Sequence, residues 1–354
     1  MPVGRLMRIA FVDLSTKLET VFDLESKARG GMVSSLFKVS DYLARYADVT
    51  VLGDIELEGD TPAGVKWRKE PESPYDVLIT NRGTGSGYSY IRAKHRILWT
   101  HDLPHLGFIP ERGIIKAFTK TVFMSRYAER VWRAMYPDIG KSVLIPNGVD
   151  KSIFYPREKN LDSLIYISAP NRGLKRLPFM FDCLKSRIDR PLTFDAFSNL
   201  AKLHPNELRD GYDEFEGVYK EIHESDVTLH DPLPQEELAP ELGEAGLMIL
   251  PTQYPEICSN SILQSLASGT PIITTGNLGS AHEWVNDRNG RLTEFLPDDY
   301  MIYTVEMVRN AVEVLSDEKL HRKLIKGALN TKIHTWDEIG EKWWQMIKRL
   351  NWPF

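Results

Sequence analysis

The chain has 354 residues, 42% hydrophobic and 26% charged, with a formal net charge of −5 at pH 7. That length allows two domains with separate cores, and the acidic balance disfavours a general nucleic-acid binder. No apolar run reaches the length of a membrane span, the first residues lack a signal-peptide pattern, and the two cysteines, Cys183 and Cys258, read as reduced, packed thiols, so a cytoplasmic setting is expected.

Strands and helices alternate along the chain. Residues 7–12, 49–52, 76–80, 96–100, 120–124 and 142–145 read as strands of a first sheet. A helix is expected over 32–46, where Met32, Leu36, Val39 and Leu43 share one face. A second series of strands follows at 163–168, 192–197, 227–229, 247–250 and 272–275. Two consecutive α/β series imply two doubly wound, Rossmann-like domains facing a central cleft. The boundary is expected in 150–162, which carries Pro156 and several charges but little apolar pattern. In the tail, Thr335-Trp336-Asp337-Glu338 reads as a capping box. Trp336, Ile339, Trp343, Ile347 and Leu350 then recur at helical spacing. Both signs of charge on the polar face favour a C-terminal helix packed on the protein's own body over a membrane helix.

The segment 251–271, PTQYPEICSNSILQSLASGTP, carries the most information. The apolar run 246–250 fits a central parallel strand, and Pro251 and Pro255 end it. Glu256 lies on the loop just ahead of Ser259 and Asn260, both good N-cap types. Ile262, Leu263, Leu266 and Ala267 form one apolar helix face, and Gly269 stops the helix. Such a unit aims unpaired backbone N–H groups out of the sheet's carboxyl edge, where an anion such as a diphosphate binds. Glu256 beside it offers a carboxylate for hydroxyl groups.

Three further clusters fall at strand ends. Ala28-Arg29-Gly30-Gly31 lies between the first strand and its helix. The paired glycines let backbone approach a ligand closely, although a simple turn explains them equally well, and the pattern is not a dinucleotide fingerprint. His101 and His105 follow the 96–100 strand; Pro104 disfavours the helix that an i,i+4 metal pair needs, so a single His101 at the strand end is preferred over a metal site. Arg172, Lys175 and Arg176 stand at a strand–helix junction, where a guanidinium fork and an ammonium suit phosphate oxygens. Asn147-Gly148 reads as a tight turn into the interdomain linker.

Together these residues resemble the retaining glycosyltransferases of the GT-B fold, family 4 (glycosyl transferases group 1), over essentially the whole chain. The resemblance is carried by the Gly30-Gly31 loop, by Ile145-Pro146-Asn147-Gly148-Val149-Asp150 with Phe154, by Arg172 with Lys175, and by Glu256 followed at the eighth position by Gln264. It implies an acceptor-binding domain over 1–155, a nucleotide-sugar donor domain over 156–334, and a C-terminal helix over 335–354 packed on the N-terminal domain. It further implies a hexosyltransferase-type enzyme moving sugar from a nucleoside-diphosphate sugar, of UDP or GDP type, to a hydroxyl of a glycan, a lipid-linked glycan or a small molecule.

Roles follow from the same resemblance. Glu256 hydrogen-bonds the donor sugar, Arg172 and Lys175 hold the diphosphate, and the amides near Ser259, Asn260 and Ser261 support them. His101 contacts the donor sugar, Gly30 and Gly31 lie by diphosphate and acceptor, and the segment 232–238, with Leu233, lies against the base. Two positions depart from the family. Gln264 replaces the acidic residue that grips the ribose, which weakens that hold. Asp231 stands where many relatives carry glycine. No Asp-x-Asp motif occurs, so no metal ligands are assigned and no cofactor is required. The basic, apolar run 112–120 reads as a helix half-buried in the domain, in preference to a patch that makes peripheral membrane contact. The competing readings are a nucleotide-sugar epimerase, a phosphorylase on a similar fold, and a binding protein whose catalysis has decayed.

Overall fold

A computed structural model of the chain describes residues 5–18, 30–82, 89–105, 112–203, 208, 213–296 and 298–351. Ala28 and Arg29 of the glycine cluster lie outside the described residues, and so do most residues of the first-domain loops at 13–29, 84–90 and 103–112, which the family resemblance assigns to the acceptor. The chain divides into two compact units, one formed by Met1–Lys27, Gly31–Gly148 and His334–Phe354, the other by Ala28–Gly30 and Val149–Ile333.

The first unit holds an eight-stranded sheet. Its strands are β1 (Arg8–Leu18), β2 (Asp48–Ile55), β3 (Gly59–Asp60), β4 (Lys66–Arg68), β5 (Tyr75–Asn81), β6 (Ala93–Trp99), β7 (Lys120–Phe123) and β8 (Ser142–Leu144), in the order β3-β4-β2-β1-β5-β6-β7-β8. All neighbours are parallel except β3 and β4. The helices are α1 (Gly31–Ala44), α2 (Arg112–Ile115) and α3 (Arg126–Met135). Strand order reverses between β1 and β5, which makes the carboxyl edge there a switch point. Leu36, Val39 and Leu43 of α1 are buried, as the spacing predicts, while Met32 is only half-buried at the first turn. The short β3–β4 pair is missed by the sequence reading because two- and three-residue strands have no measurable period. The 112–120 segment is not one half-buried helix: a single turn ends at Ile115, and Lys120 already starts β7.

The second unit holds β9 (Asn160–Tyr166), β10 (Thr193–Phe197), β11 (Thr228–His230), β12 (Ala245–Leu250), β13 (Ile272–Thr275) and β14 (Gly290–Thr293), all parallel, in the order β11-β10-β9-β12-β13-β14. Its helices are α4 (Leu177–Lys185), α5 (Leu200–Leu203), α6 (Glu216–His223), α7 (Gln235–Glu244), α8 (Asn260–Ala267), α9 (Tyr300–Ser316) and α10 (Glu318–Leu329). Every residue of β12 is buried, which explains its unbroken apolar run: a central parallel strand is covered on both faces. The order reverses between β9 and β12, so the loops after these two strands share the switch point.

The last helix, α11 (Trp336–Asn351), starts on a reciprocal capping box. The Thr335 amide donates to Glu338 Oε2 at 2.8 Å, and the Glu338 amide donates to Thr335 Oγ1 at 3.2 Å. Ile339, Trp343 and Ile347 are buried, and the Trp343 ring meets Phe11 and Trp99 at centroid distances of 6.4 and 4.8 Å. The tail therefore closes the apolar face of the first unit. Gly148 serves this packing and not a left-handed turn: a Cβ there would lie 2.8 Å from the Trp336 nitrogen. Asn147 is buried and accepts from Ser35 Oγ at 2.9 Å, while the same hydroxyl also lies 2.7 Å from the Gly31 carbonyl.

Candidate functional site

In the second unit, the loops after β9 and β12 bring Arg172 and Glu256 together. After β9 the chain makes two short 3-10 turns, Pro170–Arg172 and Leu174–Arg176, hinged on Gly173 at φ +97°. A Cβ on Gly173 would sit 2.1 Å from the Pro251 carbonyl oxygen, so only glycine lets the first loop lie against the second. Arg172 Nε donates to Glu256 Oε1 at 2.6 Å, with side chains only 18% and 14% exposed. The guanidinium also stacks on Tyr254, its Cζ 3.7 Å from the ring centroid. Burial opposes the charge on Arg172, but the Glu256 carboxylate and Tyr254 outweigh it and hold its pKa above the usual value.

The backbone of Glu256 is gripped from the other side. Its carbonyl accepts from the Ser280 amide at 2.7 Å and from Ser280 Oγ at 2.9 Å. Ahead of it, Thr252 Oγ1 accepts from the Tyr254 amide at 3.1 Å and donates to the Tyr254 carbonyl at 3.2 Å. Beyond it, α8 begins at Asn260 with Ser259 in extended conformation as N-cap, its hydroxyl making no cap bond. Ser261 donates its hydroxyl to the Ile167 carbonyl at 2.7 Å, tying the helix start to the end of β9. The first amides of such a helix lack intrahelical acceptors and carry the positive end of its dipole. Gln264 lies half-buried on the second turn.

The basic run after β9 splits three ways. Arg172 faces Glu256, whereas Lys175 is exposed, and no hydrogen bond or ion pair ties it to another described residue. Arg176 is buried against α9, between Tyr300 and Tyr303 at 4.5 and 4.9 Å, and donates to Gln253 Oε1 at 3.2 Å. These three closely spaced cations thus take separate directions: the left-handed Gly173 breaks the first 3-10 turn from the second, and within the second Lys175 and Arg176 lie about a third of a turn apart. The loop after β11 is also shorter than the expected 232–238. Leu233 is half-buried in it, but α7 already starts at Gln235, since Pro234 suits the N-terminal boundary and Glu236 and Glu237 fill the first turn. Asp231, just before it, pairs with Lys202 Nζ at 2.5 Å.

In the first unit, His101 lies two residues beyond β6. Its ring packs on Trp99 at a centroid distance of 4.4 Å, and its buried Nε2 has no partner among the described residues. Burial, with the nearby Arg82 charge, pushes the imidazole down to about 3, so it is neutral at physiological pH. Arg82, a non-glycine residue at φ +72°, is ion-paired with Asp102. His105 is exposed. Gly30 is buried ahead of α1, which Gly31 begins. Among the described residues no group of three or more His, Cys, Asp or Glu forms a candidate metal centre, and no helix is long and apolar enough to cross a membrane. Both cysteines are free thiols, Cys258 buried and Cys183 half-buried.

Sequence reasoning missed Tyr254, Gly173, Gly279 and Ser280 as parts of this site. The signal for Gly173 and Gly279 was present as glycine in strand-end loops, but the contacts that require it are between distant segments.

Residues 204–310 match the family model described as Glycosyl transferases group 1. No curated protein sequence matches the chain. Among solved structures, a sucrose-phosphate synthase from Thermosynechococcus elongatus is 16% identical, with 97% of this chain and 99% of that chain covered at a TM-score of 0.77. Anabaena HepE in complex with UDP and glucose is 15% identical, covering 97% of this chain and 100% of that one at 0.70. WaaG, a glycosyltransferase involved in lipopolysaccharide biosynthesis, is 14% identical over 96% and 99% at 0.66. The two parallel α/β sheets are thus those of the GT-B fold, and the resemblance read from the sequence, to an enzyme of the glycosyltransferase type, holds against the family model.

Proposed function

We propose that the chain is a retaining glycosyltransferase that uses a nucleoside-diphosphate sugar and needs no metal. The observation that carries this reading is the Arg172–Glu256 pair at the β9/β12 switch point, 2.6 Å apart beside the N-terminus of α8. A half-buried guanidinium and a helix start attract an anion, and an adjacent carboxylate accepts sugar hydroxyls. That HepE was solved with UDP and glucose supports a nucleotide sugar as donor.

In this reading Arg172, Lys175 and the amides around Ser259, Asn260 and Ser261 bind the diphosphate, and Gln264 and Leu233 take the nucleoside. Glu256 binds hydroxyls of the sugar. As the bond between the anomeric carbon and the diphosphate oxygen breaks, its electron pair passes to the diphosphate. The acceptor hydroxyl oxygen then bonds that carbon on the same face, and its proton passes to the departing diphosphate oxygen. The negative charge that builds up on the diphosphate faces Arg172 and the α8 amides, which lower its energy without reorganising. From the resemblance, Gly30 and Gly31 belong to the diphosphate and acceptor loop and His101 contacts the sugar; its neutral imidazole suits a hydrogen bond and not an ion pair. A cytoplasmic setting accords with two free thiols.

Thermal stabilisation by UDP, GDP and their sugars, with and without magnesium, tests the reading. A metal-independent rise in Tm with one nucleotide is expected and names the base. No shift with any nucleotide overturns the donor assignment and leaves a decayed site. The anomeric configuration of a transfer product decides retention.

A further inference from the structure

We propose that Tyr254 is a positioning residue for Arg172: its ring holds the guanidinium in place when Glu256 is drawn toward the sugar. The inference rests on the donor-site reading above. Arg172 is held twice, by an edge on Glu256 Oε1 at 2.6 Å and by a face on Tyr254 at 3.7 Å. The two holds differ in kind. Glu256 occupies an N–H donor that a diphosphate oxygen also needs, and donor binding loosens this contact. The ring takes no N–H: a guanidinium over an aromatic face keeps all its donors in its own plane, free to meet phosphate. Tyr254 therefore persists as a partner in the state where the carboxylate is occupied elsewhere.

The backbone that carries the ring is itself anchored from behind. Thr252 Oγ1 clasps the amide and carbonyl of Tyr254. The Thr252 carbonyl accepts from Thr275 Oγ1 at 2.5 Å. With its hydrogen so used, Thr275 Oγ1 accepts from the Tyr303 hydroxyl, 2.7 Å away. Thr275 and Tyr303 are fully buried on β13 and α9. Next to Tyr254 in the chain, Gln253 is held by Arg176, which stacks on the same Tyr303. A run of contacts thus leads from the core to the face on which Arg172 rests, which is how a loop side chain becomes a fixed platform.

The test compares Tyr254→Leu, which removes the ring, with Tyr254→Phe and Tyr254→Trp, which keep it, in the full chain. A cation–π contact of this kind corresponds to roughly 3- to 30-fold in affinity. Calorimetry with UDP and with GDP is expected to show that loss in Tyr254→Leu for whichever nucleotide the wild type binds. Phe and Trp stay within about twofold of wild type. In an Arg172→Gln background, Tyr254→Leu has no further effect. Equal damage from Phe and Leu, or a full additional loss in the Arg172→Gln background, overturns the proposal. If the wild type binds neither nucleotide, the donor reading fails, and a urea-unfolding cycle over Arg172→Gln and Tyr254→Leu still decides the pairing. Coupled losses of stability are expected; additive ones overturn it.

Discussion

Gly279 encloses Glu256: at φ +82°, it lies so close that a Cβ would sit 2.6 Å from both the nitrogen and the carbonyl oxygen of Glu256. The backbone that carries the carboxylate is thus gripped by the loop after β13, 23 positions further along the chain, through backbone contact. Gly279→Ala meets both a disfavoured left-handed conformation and a clash with backbone that cannot swing aside. It is expected to shift Glu256 and to lower transfer by about 10-fold or more, with roughly 1–3 kcal/mol lost from stability. Turnover and urea unfolding of the variant check this; an unchanged turnover would remove the loop from the site.

Glu256→Gln separates chemistry from binding. The amide can still meet sugar hydroxyls but carries no charge, so it no longer competes with diphosphate for Arg172. Turnover is expected to fall by about two orders of magnitude, the scale for losing one preorganised group aimed at developing charge. Affinity for the free nucleoside diphosphate is expected to hold or rise. Parallel losses in both would refute the assignment of Glu256 to the sugar.

Gln264→Glu restores a charge at a half-buried position on α8. A charged hydrogen bond is stronger than a neutral one by about 1 kcal/mol, so roughly fivefold tighter nucleotide binding is expected if Gln264 meets the ribose diol. Calorimetry on the two proteins decides it, and weaker or unchanged binding counts against the ribose role.

His101 makes stability fall on the acid side. Its imidazole is pushed from 6.5 to about 3 in the folded chain, first by burial and then by Arg82. Between those values the unfolded chain binds a proton that the folded chain does not. The contribution is fully present above about pH 6.5 and is lost progressively as the pH falls toward 3. Urea unfolding at pH 7.5 and 5 is expected to show a loss of order 1–2 kcal/mol that His101→Phe reduces. An equal pH dependence in both proteins would disprove it.

Elements with a long, regular pattern were legible in the sequence. The six buried residues of β12, the face of α1 and the capping box of α11 all follow from periods and caps that act locally. The short β3 and β4 and the edge strand β14 were not, since pairing with a neighbour and not composition makes them strands. The run of cations after β9 looked like one cluster, yet Gly173 and two 3-10 turns send Arg172, Lys175 and Arg176 apart.

By itself, the sequence determined the class of the molecule: two α/β series, a buried parallel strand ending in a proline-bounded loop with Glu256, and a helix start beside it. These depend on hydrophobic period and on caps, which act within a few residues. Only the tertiary structure decided that Arg172 meets Glu256 across 84 positions, that Tyr254 lies beneath the guanidinium, and that Gly279 closes over the loop. Those contacts join loops from separate strands, and their geometry is set by strand order and by how closely two backbones approach, neither of which leaves a periodic trace in the chain.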